Sequence, residues 1–123
     1  MQLVKNEEKY WEFIRVLRNT NNGFVEQVNI TKDEQRTYMY RYTNDYWVCL
    51  IDKKPVGFIG IVNNDLRLAV DKNHRRKGVA TFMIKELPRM LNNVTIKILY
   101  DNDPSRKLFE KVLGKPKYVM YEY

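Results

Sequence analysis

The chain has little of several residue types on which whole classes of site depend. It contains one cysteine and one histidine among 123 residues, which excludes an internal disulfide and a cysteine-built zinc site. Cys49 lies within the apolar run 46–51, where a buried, unreactive thiol is expected. No metal site is therefore expected.

Long apolar runs and the common nucleotide-binding loops are also missing. No run approaches the length of a membrane span, and residues 1–8 have neither the apolar core nor the cleavage signature of a signal peptide. Neither G-x-G-x-x-G nor G-x-x-x-x-G-K-[ST] occurs in the chain. The sequence therefore predicts a cytoplasmic protein that does not enter a membrane.

What is present describes a small globular protein with an excess of positive charge. The length suits one domain with one core, spanning 1–123. The net charge of +7 indicates an anionic partner without saying which kind. A nucleic-acid-binding module is one interpretation, but the aromatic residues lie mostly at core periods and not in a basic stripe, so nucleic acid is not the expected partner.

Hydrophobic periodicity predicts an α+β fold. Strands are predicted at 1–5, 46–51, 56–62, 66–70, 94–100 and 118–123, and helices at about 7–19, 32–42, 78–91 and 105–113. Thr31 and Glu34 are spaced as a capping box for the second helix, and Pro88 is expected to kink or shorten the third. Gly57 and Gly60 within one strand predict a bulge or a close backbone approach.

The stretch 66–83 carries the clearest signal of a site. A strand with alternating apolar residues runs into a helical stripe beginning at Val79, and Arg75, Arg76, Lys77 and Gly78 lie between them. The first turn of a helix has unpaired N–H groups and a partial positive charge, and glycine lets an anion approach the main chain. The junction is therefore either a phosphate-binding turn or a solvated basic turn before a core helix.

Two motifs at strand-to-helix junctions resemble signatures of the GNAT superfamily of N-acetyltransferases, which use acetyl-coenzyme A (acetyl-CoA). Residues 75–80, Arg-Arg-Lys-Gly-Val-Ala, are similar to its R/Q-x-x-G-x-G/A motif. The second pattern, N-x-x-A/S-x-x-L-Y-x-K-x-G, is matched by Asn102, Ser105, Leu108, Lys111 and Gly114, with Phe109 in place of the tyrosine. A looser likeness over residues 17–58 resembles members that acetylate amino groups of nucleotide-linked sugars, and phage-encoded members share it.

The resemblance implies a central mixed, mostly antiparallel sheet flanked by helices and splayed between the strands at 66–70 and 94–99. It also implies that acetyl-CoA binds in that splay, with its pyrophosphate on the amides that begin the signature helix. The implied cofactor-binding residues are Leu68, Ala69, Val70, Arg75, Arg76, Lys77, Gly78, Val79, Ala80, Thr81, Asn102 and Ser105. For Asn102 and Ser105, a turn former and a helix-start residue remain the alternatives.

Acetyl transfer to an amine needs a base for the ammonium and allows an acid for the departing thiolate. Some family members carry a carboxylate at the start of the strand before the signature, and Asp65 has that place here; a plain turn residue is the alternative. Because Phe109 replaces the tyrosine, Tyr100 is the expected acid, with Tyr118, Tyr121 or water as alternatives. Asn102 is the third expected catalytic residue.

The acceptor is the least determined part of the interpretation. Arg18, Glu26 and Arg67 are the expected acceptor contacts, with Glu26 also a second candidate base and solvent exposure the alternative for both arginines. The expected activity is transfer of an acetyl group from acetyl-CoA to a primary amine of a small molecule such as an amino sugar. The alternative is a CoA-binding regulator with little or no turnover, and a homodimer remains open.

Overall fold

A computed structural model of the chain describes residues 1–20, 29–89 and 91–122. Four antiparallel strands pair in the order β1-β2-β3-β4, and helices cover both faces of the sheet. The strands are β1 (Gln2–Lys5), β2 (Tyr46–Ile51), β3 (Lys54–Val62) and β4 (Asp65–Val70). The helices are α1 (Trp11–Thr20), α2 (Lys32–Tyr42), α3 (Val79–Glu86) and α4 (Asp103–Leu113). The predicted α+β class is confirmed.

Local sequence signals fix the hairpins. The β3–β4 turn consists of Asn63 and Asn64, whose φ angles of 51° and 63° are left-handed. Two consecutive residues with positive φ match the twist of the flanking strands, and asparagine tolerates that conformation better than most residues. The turn therefore places Asp65 opposite Val62 and sets the register of β4.

The predicted helix boundaries hold where the sequence supplies a specific signal. Thr31 Oγ1 accepts a hydrogen bond from Glu34 N at 3.1 Å, and Glu34 Oε1 accepts one from Thr31 N at 3.2 Å, which completes the capping box. Helix α3 ends at Glu86, two residues before Pro88, as expected for a residue that cannot continue the helical hydrogen bonds.

The two faces of the sheet pack against different helices. One face carries Trp47, Cys49, Ile59 and Ile61 and packs on α3, with part of α4 alongside. The opposite face packs on α1 and α2; its buried residues include Tyr10, Ile14, Leu17, Met39, Tyr46, Val48, Phe58 and Ala69. Because side chains alternate along a strand, Asp65 and Arg67 of β4 point to the face of α1 and α2.

Both glycines of β3 permit a close approach. A bulge at Val56 interrupts the β2–β3 register, as predicted. A Cβ on Gly57 would lie 2.9 Å from the carbonyl oxygen of Ala69 and 3.1 Å from Met83, so this glycine lets α3 approach the sheet. A Cβ on Gly60 would lie 2.4 Å from Cε1 of Tyr46, so the Tyr46 ring lies directly over the Gly60 backbone.

Two predicted strands are largely absent as hydrogen-bonded elements. Residues 94–99 pair with the sheet only at Thr95, through a parallel bridge to Asp65, and 118–122 form no strand. The alternation of side chains in 94–99 reflects one packed face, because Val94 and Ile96 contact the core. Such packing does not require a complete set of hydrogen bonds between this segment and β4. In 118–122 the apolar side chains are 68–86% exposed, so nothing in the described chain buries them.

We predict that Gly60→Ala destabilises the protein by about 1–3 kcal/mol, because the new methyl group overlaps the Tyr46 ring. Alanine in a strand is intrinsically better than glycine by roughly 0.5–1 kcal/mol, so a loss of stability has to come from the overlap. Urea unfolding measures the change. An unchanged or increased free energy of unfolding would show that Tyr46 does not lie over Gly60.

Candidate functional site

The basic turn lies between β4 and the N-terminus of α3, as its sequence predicts. A single 3₁₀ turn, Lys72–His74, follows β4, and Gly78 is the N-cap of α3 with φ 78°. Arg76 is also left-handed, at φ 65°. Arg75, Arg76 and Lys77 are all exposed. The chain thus presents three cations beside a helix N-terminus.

The N-terminus of α3 is open to an anion. Its first helical hydrogen bond runs from Phe82 N to Gly78 O at 2.9 Å, so the amides of Val79, Ala80 and Thr81 precede it and have no acceptor within the helix. Gly78 offers no capping side chain, and a Cβ built on it would have no atom within 4 Å. Unpaired amides, the helix dipole and open space together suit a phosphate group.

His74 pairs with Asp71 at the start of this turn. Its Nδ1 is 3.0 Å from Oδ2 of Asp71, and its backbone N donates to Asp71 O at 2.8 Å. Asp71 N in turn donates to Val56 O of β3 at 2.8 Å. The pair therefore connects the start of the basic turn to the sheet.

The outer edge of β4 is paired only at its beginning. Leu66 N donates to Thr95 O at 2.9 Å, and Thr95 N donates to Asn64 O at 2.7 Å. Among the described residues, Thr95 alone bridges to β4 on this side. Since backbone groups of a strand repeat every two residues, the N–H and C=O groups of Leu68 and Val70 point to the same open edge as those of Leu66. This is the splay between 66–70 and 94–99.

A charged and phenolic network lies on the α2 side of β4. Arg67 Nε is 3.5 Å from Oδ2 of Asp65, and Arg67 Nη1 donates to the Tyr38 hydroxyl at 3.2 Å. The hydroxyls of Tyr38 and Tyr46 are 2.8 Å apart. Oδ1 of Asp65 is buried and has no hydrogen-bond partner among the described residues. One oxygen of this carboxylate is therefore held, and the other is unused.

Burial raises the pKa of Tyr38, and the neighbouring Tyr46 raises it further. The Tyr38 phenol therefore stays protonated at every physiological pH. A neutral phenol binds the Arg67 guanidinium as a hydrogen-bond acceptor and leaves its charge to Asp65.

The second motif forms the start of α4. Asn102 is the N-cap, and its Oδ1 accepts a hydrogen bond from Ser105 N at 3.3 Å. Phe109 packs against the core on the α3 face. Tyr100 is 78% exposed, and its ring lies 4.7 Å from the Arg106 guanidinium, which also donates to Tyr100 O. The structure thus gives Asn102 and Ser105 a helix-capping contact and places Tyr100 at the surface.

The three expected acceptor contacts come from different segments of the chain. Arg18 is half-buried on α1, Arg67 belongs to the network on β4, and Glu26 lies outside the described residues. An open groove of about 510 Å³ runs along α2 instead, next to that network. Its lining residues are Asp33, Glu34, Thr37, Tyr38, Arg41 and Tyr42. Tyr38 is shared by the groove and the network.

Tyr38 and Tyr46 are not among the residues that the sequence singles out. Tyr38 and Tyr42 lie on one face of α2, and their ring centroids are 4.8 Å apart. The available signal was Gly60, which indicated a close approach without naming the residue that approaches.

The described parts of the chain contain neither a cluster of metal ligands nor a membrane-spanning helix. No group of three or more histidine, cysteine, aspartate or glutamate side chains there could hold a metal ion. None of the described helices has the length and apolar content needed to cross a membrane. Cys49 is fully buried, and burial raises the pKa of its thiol, as expected for an unreactive cysteine.

Comparison with known proteins gives one family. The model of the Acetyltransferase (GNAT) family matches residues 8–114, which include both sequence motifs and the whole sheet except β1. No curated protein sequence matches the chain.

Solved structures share the fold at low sequence identity. A ribosomal-protein-alanine N-acetyltransferase from Brucella melitensis has a TM-score of 0.78 at 13% identity, covering 90% of this chain and 82% of that one. Diaminobutyrate acetyltransferase EctA from Paenibacillus lautus, in complex with L-2,4-diaminobutyric acid and coenzyme A, has a TM-score of 0.67 at 20% identity, covering 89% and 72%. The aminoglycoside 6'-N-acetyltransferase AAC(6')-IG from Acinetobacter haemolyticus has a TM-score of 0.60 at 18% identity, covering 100% and 98%.

We predict that Gly78→Glu weakens the binding of coenzyme A at least about tenfold, because a carboxylate would enter the space in front of the α3 amides. Gly78→Ala is the matched control. It carries the same positive-φ strain, about 1–2 kcal/mol, without bulk or charge, so it lowers stability but leaves affinity nearly unchanged. Calorimetric titration with coenzyme A measures both variants. Equal affinity of Gly78→Glu and the parent would contradict the phosphate-binding assignment.

We also predict a pH dependence of stability that Tyr38 causes. The raised pKa means that the folded state keeps a proton that the unfolded state loses above pH about 10. Unfolding then releases a proton, so the free energy of unfolding falls as pH rises beyond that value. Urea unfolding between pH 8 and about 11 should show a steeper decline for the parent than for Tyr38→Phe. Parallel curves would contradict the burial of this phenol.

Proposed function

Since the chain belongs to the Acetyltransferase (GNAT) family and is an N-acetyltransferase, we propose that it transfers the acetyl group of acetyl-CoA to a primary amine of a small molecule of the amino-sugar type. One observation carries the proposal. Asp65, whose Oδ1 has no hydrogen-bond partner in the described chain, begins the same strand whose outer edge opens beside the basic turn. A base and a cofactor cleft thus share β4. We further propose that residues 1–123 act as one cytoplasmic domain.

The residues of the turn fit the pyrophosphate of coenzyme A. The unpaired amides of Val79, Ala80 and Thr81 supply donors, and Arg75, Arg76 and Lys77 supply positive charge. The role that Gly78 plays is conformational, since its left-handed φ directs these amides to open space. We propose that Asn102 and Ser105 also contact the cofactor, at the rim of this site.

The open edge of β4 fits the remainder of the cofactor. Its outward backbone groups at Leu68 and Val70 are free to pair with the amides of the pantetheine arm, as another strand would. The Leu68 N–H then stabilises the negative charge that develops on the thioester oxygen. We propose Ala69, whose side chain is buried in the core, as part of the backbone that flanks the thioester.

In the proposed reaction, the amine attacks the thioester carbonyl, the C–N bond forms, and the C–S bond breaks. Asp65 Oδ1 takes the proton from the amine, directly or through a water molecule. The thiolate of coenzyme A leaves with its electron pair. Because thiols have a pKa of about 8.5, the thiolate needs little help from an acid to leave. This suits a chain in which Phe109, packed in the core, replaces the tyrosine of the family motif. We propose Tyr100 as the donor where a proton is supplied.

The α2 groove supports an amino-sugar acceptor. Tyr38 and Tyr42 provide aromatic surface for a sugar ring, and Asp33 and Glu34 provide carboxylates for further ammonium groups. The groove adjoins the Asp65 network through Tyr38. We propose that Arg18 and Glu26 contact the acceptor from the α1 side. The structural neighbours acetylate several kinds of amine, so the acceptor has to be found by a panel.

The test is thiol release from acetyl-CoA in the presence of glucosamine, neamine, L-2,4-diaminobutyric acid and a peptide with an N-terminal alanine. We expect turnover with at least one amino sugar. For Asp65→Asn we expect kcat to fall about 10²- to 10⁴-fold, because the base is lost, with the affinity for coenzyme A unchanged.

Asp52→Asn is the control, since it makes the same substitution in the β2–β3 turn at the opposite end of the sheet. It should retain the parent kcat. Full activity of Asp65→Asn would rule out Asp65 as the base. Tight binding of coenzyme A without thiol release on any amine would identify a CoA-binding regulator instead.

A further inference from the structure

Three residues from three strands lie in one row across the sheet. Tyr46 of β2 is in register with Gly60 of β3, and Gly60 is in register with Arg67 of β4. The middle residue has no side chain, and the Tyr46 ring covers its backbone. The phenol of Tyr46 therefore extends across β3 toward the column of Arg67, which any larger residue at position 60 would prevent.

A second phenol reaches the same point from α2. The hydroxyls of Tyr38 and Tyr46 are 2.8 Å apart, and Arg67 Nη1 donates to the Tyr38 hydroxyl at 3.2 Å. Tyr46 is 97% buried, so its hydroxyl is sheltered from solvent. The ring contacts of these tyrosines, 6.1 Å between each other and 5.9 Å from Tyr46 to Phe58, would be equally available to phenylalanine. Packing therefore does not account for the two hydroxyls.

Arg67 links the two phenols to Asp65, the proposed base. Arg67 presents its inner nitrogen, Nε, to Oδ2 of Asp65 at 3.5 Å and its outer nitrogen to Tyr38. A guanidinium is planar and rigid, so fixing the outer nitrogen also fixes the inner one. Oδ2 of Asp65 is engaged in this way, and Oδ1 is the oxygen without a partner in the described chain.

We propose that Tyr38 and Tyr46 are positioning residues, whose hydroxyls hold the Arg67 guanidinium so that Arg67 orients the Asp65 carboxylate with Oδ1 directed at the acceptor amine. Gly60 is the position that makes this arrangement possible. Arg67 thus acts on Asp65 and not on an anionic group of the acceptor. The inference rests on the proposed function, in which Asp65 is the base.

The first test needs no acceptor. The carboxyl carbon of Asp65 is followed by NMR in protein labelled at aspartate, and Asp65→Asn identifies the signal. Tyr38→Phe and Tyr46→Phe should each shift it, because Arg67 changes its position against Oδ2. Tyr40→Phe is the matched control. Tyr40 is also on α2 and also accepts a hydrogen bond from an arginine, Arg36, at 3.3 Å, but it is 67% exposed, and its loss should leave the Asp65 signal in place.

The second test is a kinetic cycle with the fastest amine of the panel. Tyr38→Phe should lower kcat about tenfold, the usual loss when a hydrogen bond to a charged group is removed, with KM for acetyl-CoA unchanged. In the Asp65→Asn background, Tyr38→Phe should cause no further loss, because it acts through Asp65. Arg67→Lys keeps the charge but not the two-nitrogen bridge, so it should be as slow as Tyr38→Phe.

The outcomes separate the inference from the proposed function. If Asp65→Asn is slow but Tyr38→Phe keeps the parent kcat and the parent Asp65 signal, the positioning role is wrong and the base assignment stands. The positioning role is also wrong, and the base assignment also stands, if Tyr38→Phe slows the parent and the Asp65→Asn variant equally. Tyr38 would then act independently of Asp65. If Asp65→Asn is fully active, both are wrong. If no amine is acetylated, the enzymatic proposal fails, and an unshifted NMR signal then overturns the network as well.

Discussion

The arrangement of the protein depends on one interrupted ladder. Backbone N–H and C=O groups that lose water normally pair with another strand, yet past the bridge between Asp65 and Thr95 no described residue pairs with the outer edge of β4. The interruption leaves unused hydrogen-bonding groups at Leu68 and Val70 in the middle of a folded domain. In the proposed function this open edge takes the cofactor, because β4 leads directly to the basic turn and α3.

The two ends of β4 carry groups of opposite charge. At its C-terminal end the chain turns through two left-handed residues, Arg76 and Gly78, and presents the first amides of α3 beside exposed cations. At its N-terminal end the Asn63–Asn64 turn places Asp65 on the opposite face, against α2. In the proposed function, an anionic cofactor and a proton acceptor are thereby held on one strand, which would fix the distance between them by backbone geometry.

The network on the α2 face pairs one oxygen of the Asp65 carboxylate with Arg67 and leaves the other, which is buried, without a hydrogen-bond partner in the described chain. Asp65 and Arg67 are both about 29% exposed in their side chains, which limits the desolvation cost of the pair. The phenols of Tyr38 and Tyr46 satisfy the outer part of the guanidinium while they remain neutral. The missing side chain at Gly60 is what brings the second phenol within reach. A glycine inside a strand costs stability by itself, and here it permits the contact between the two phenols.

The sequence by itself determined the local elements and predicted the basic turn to which the proposed cofactor site is assigned. The capping box at Thr31 and Glu34, the stop before Pro88 and the basic turn ending in Gly78 are signals carried by neighbouring residues, so short-range physics was enough to predict them. Only the tertiary structure decided that 94–99 pairs at Thr95 alone, because side-chain alternation reports burial and not hydrogen bonding. It also decided that Tyr38, Tyr46 and Arg67 meet, since that contact joins α2 to β2 and β4, which lie on either side of β3 in the folded sheet.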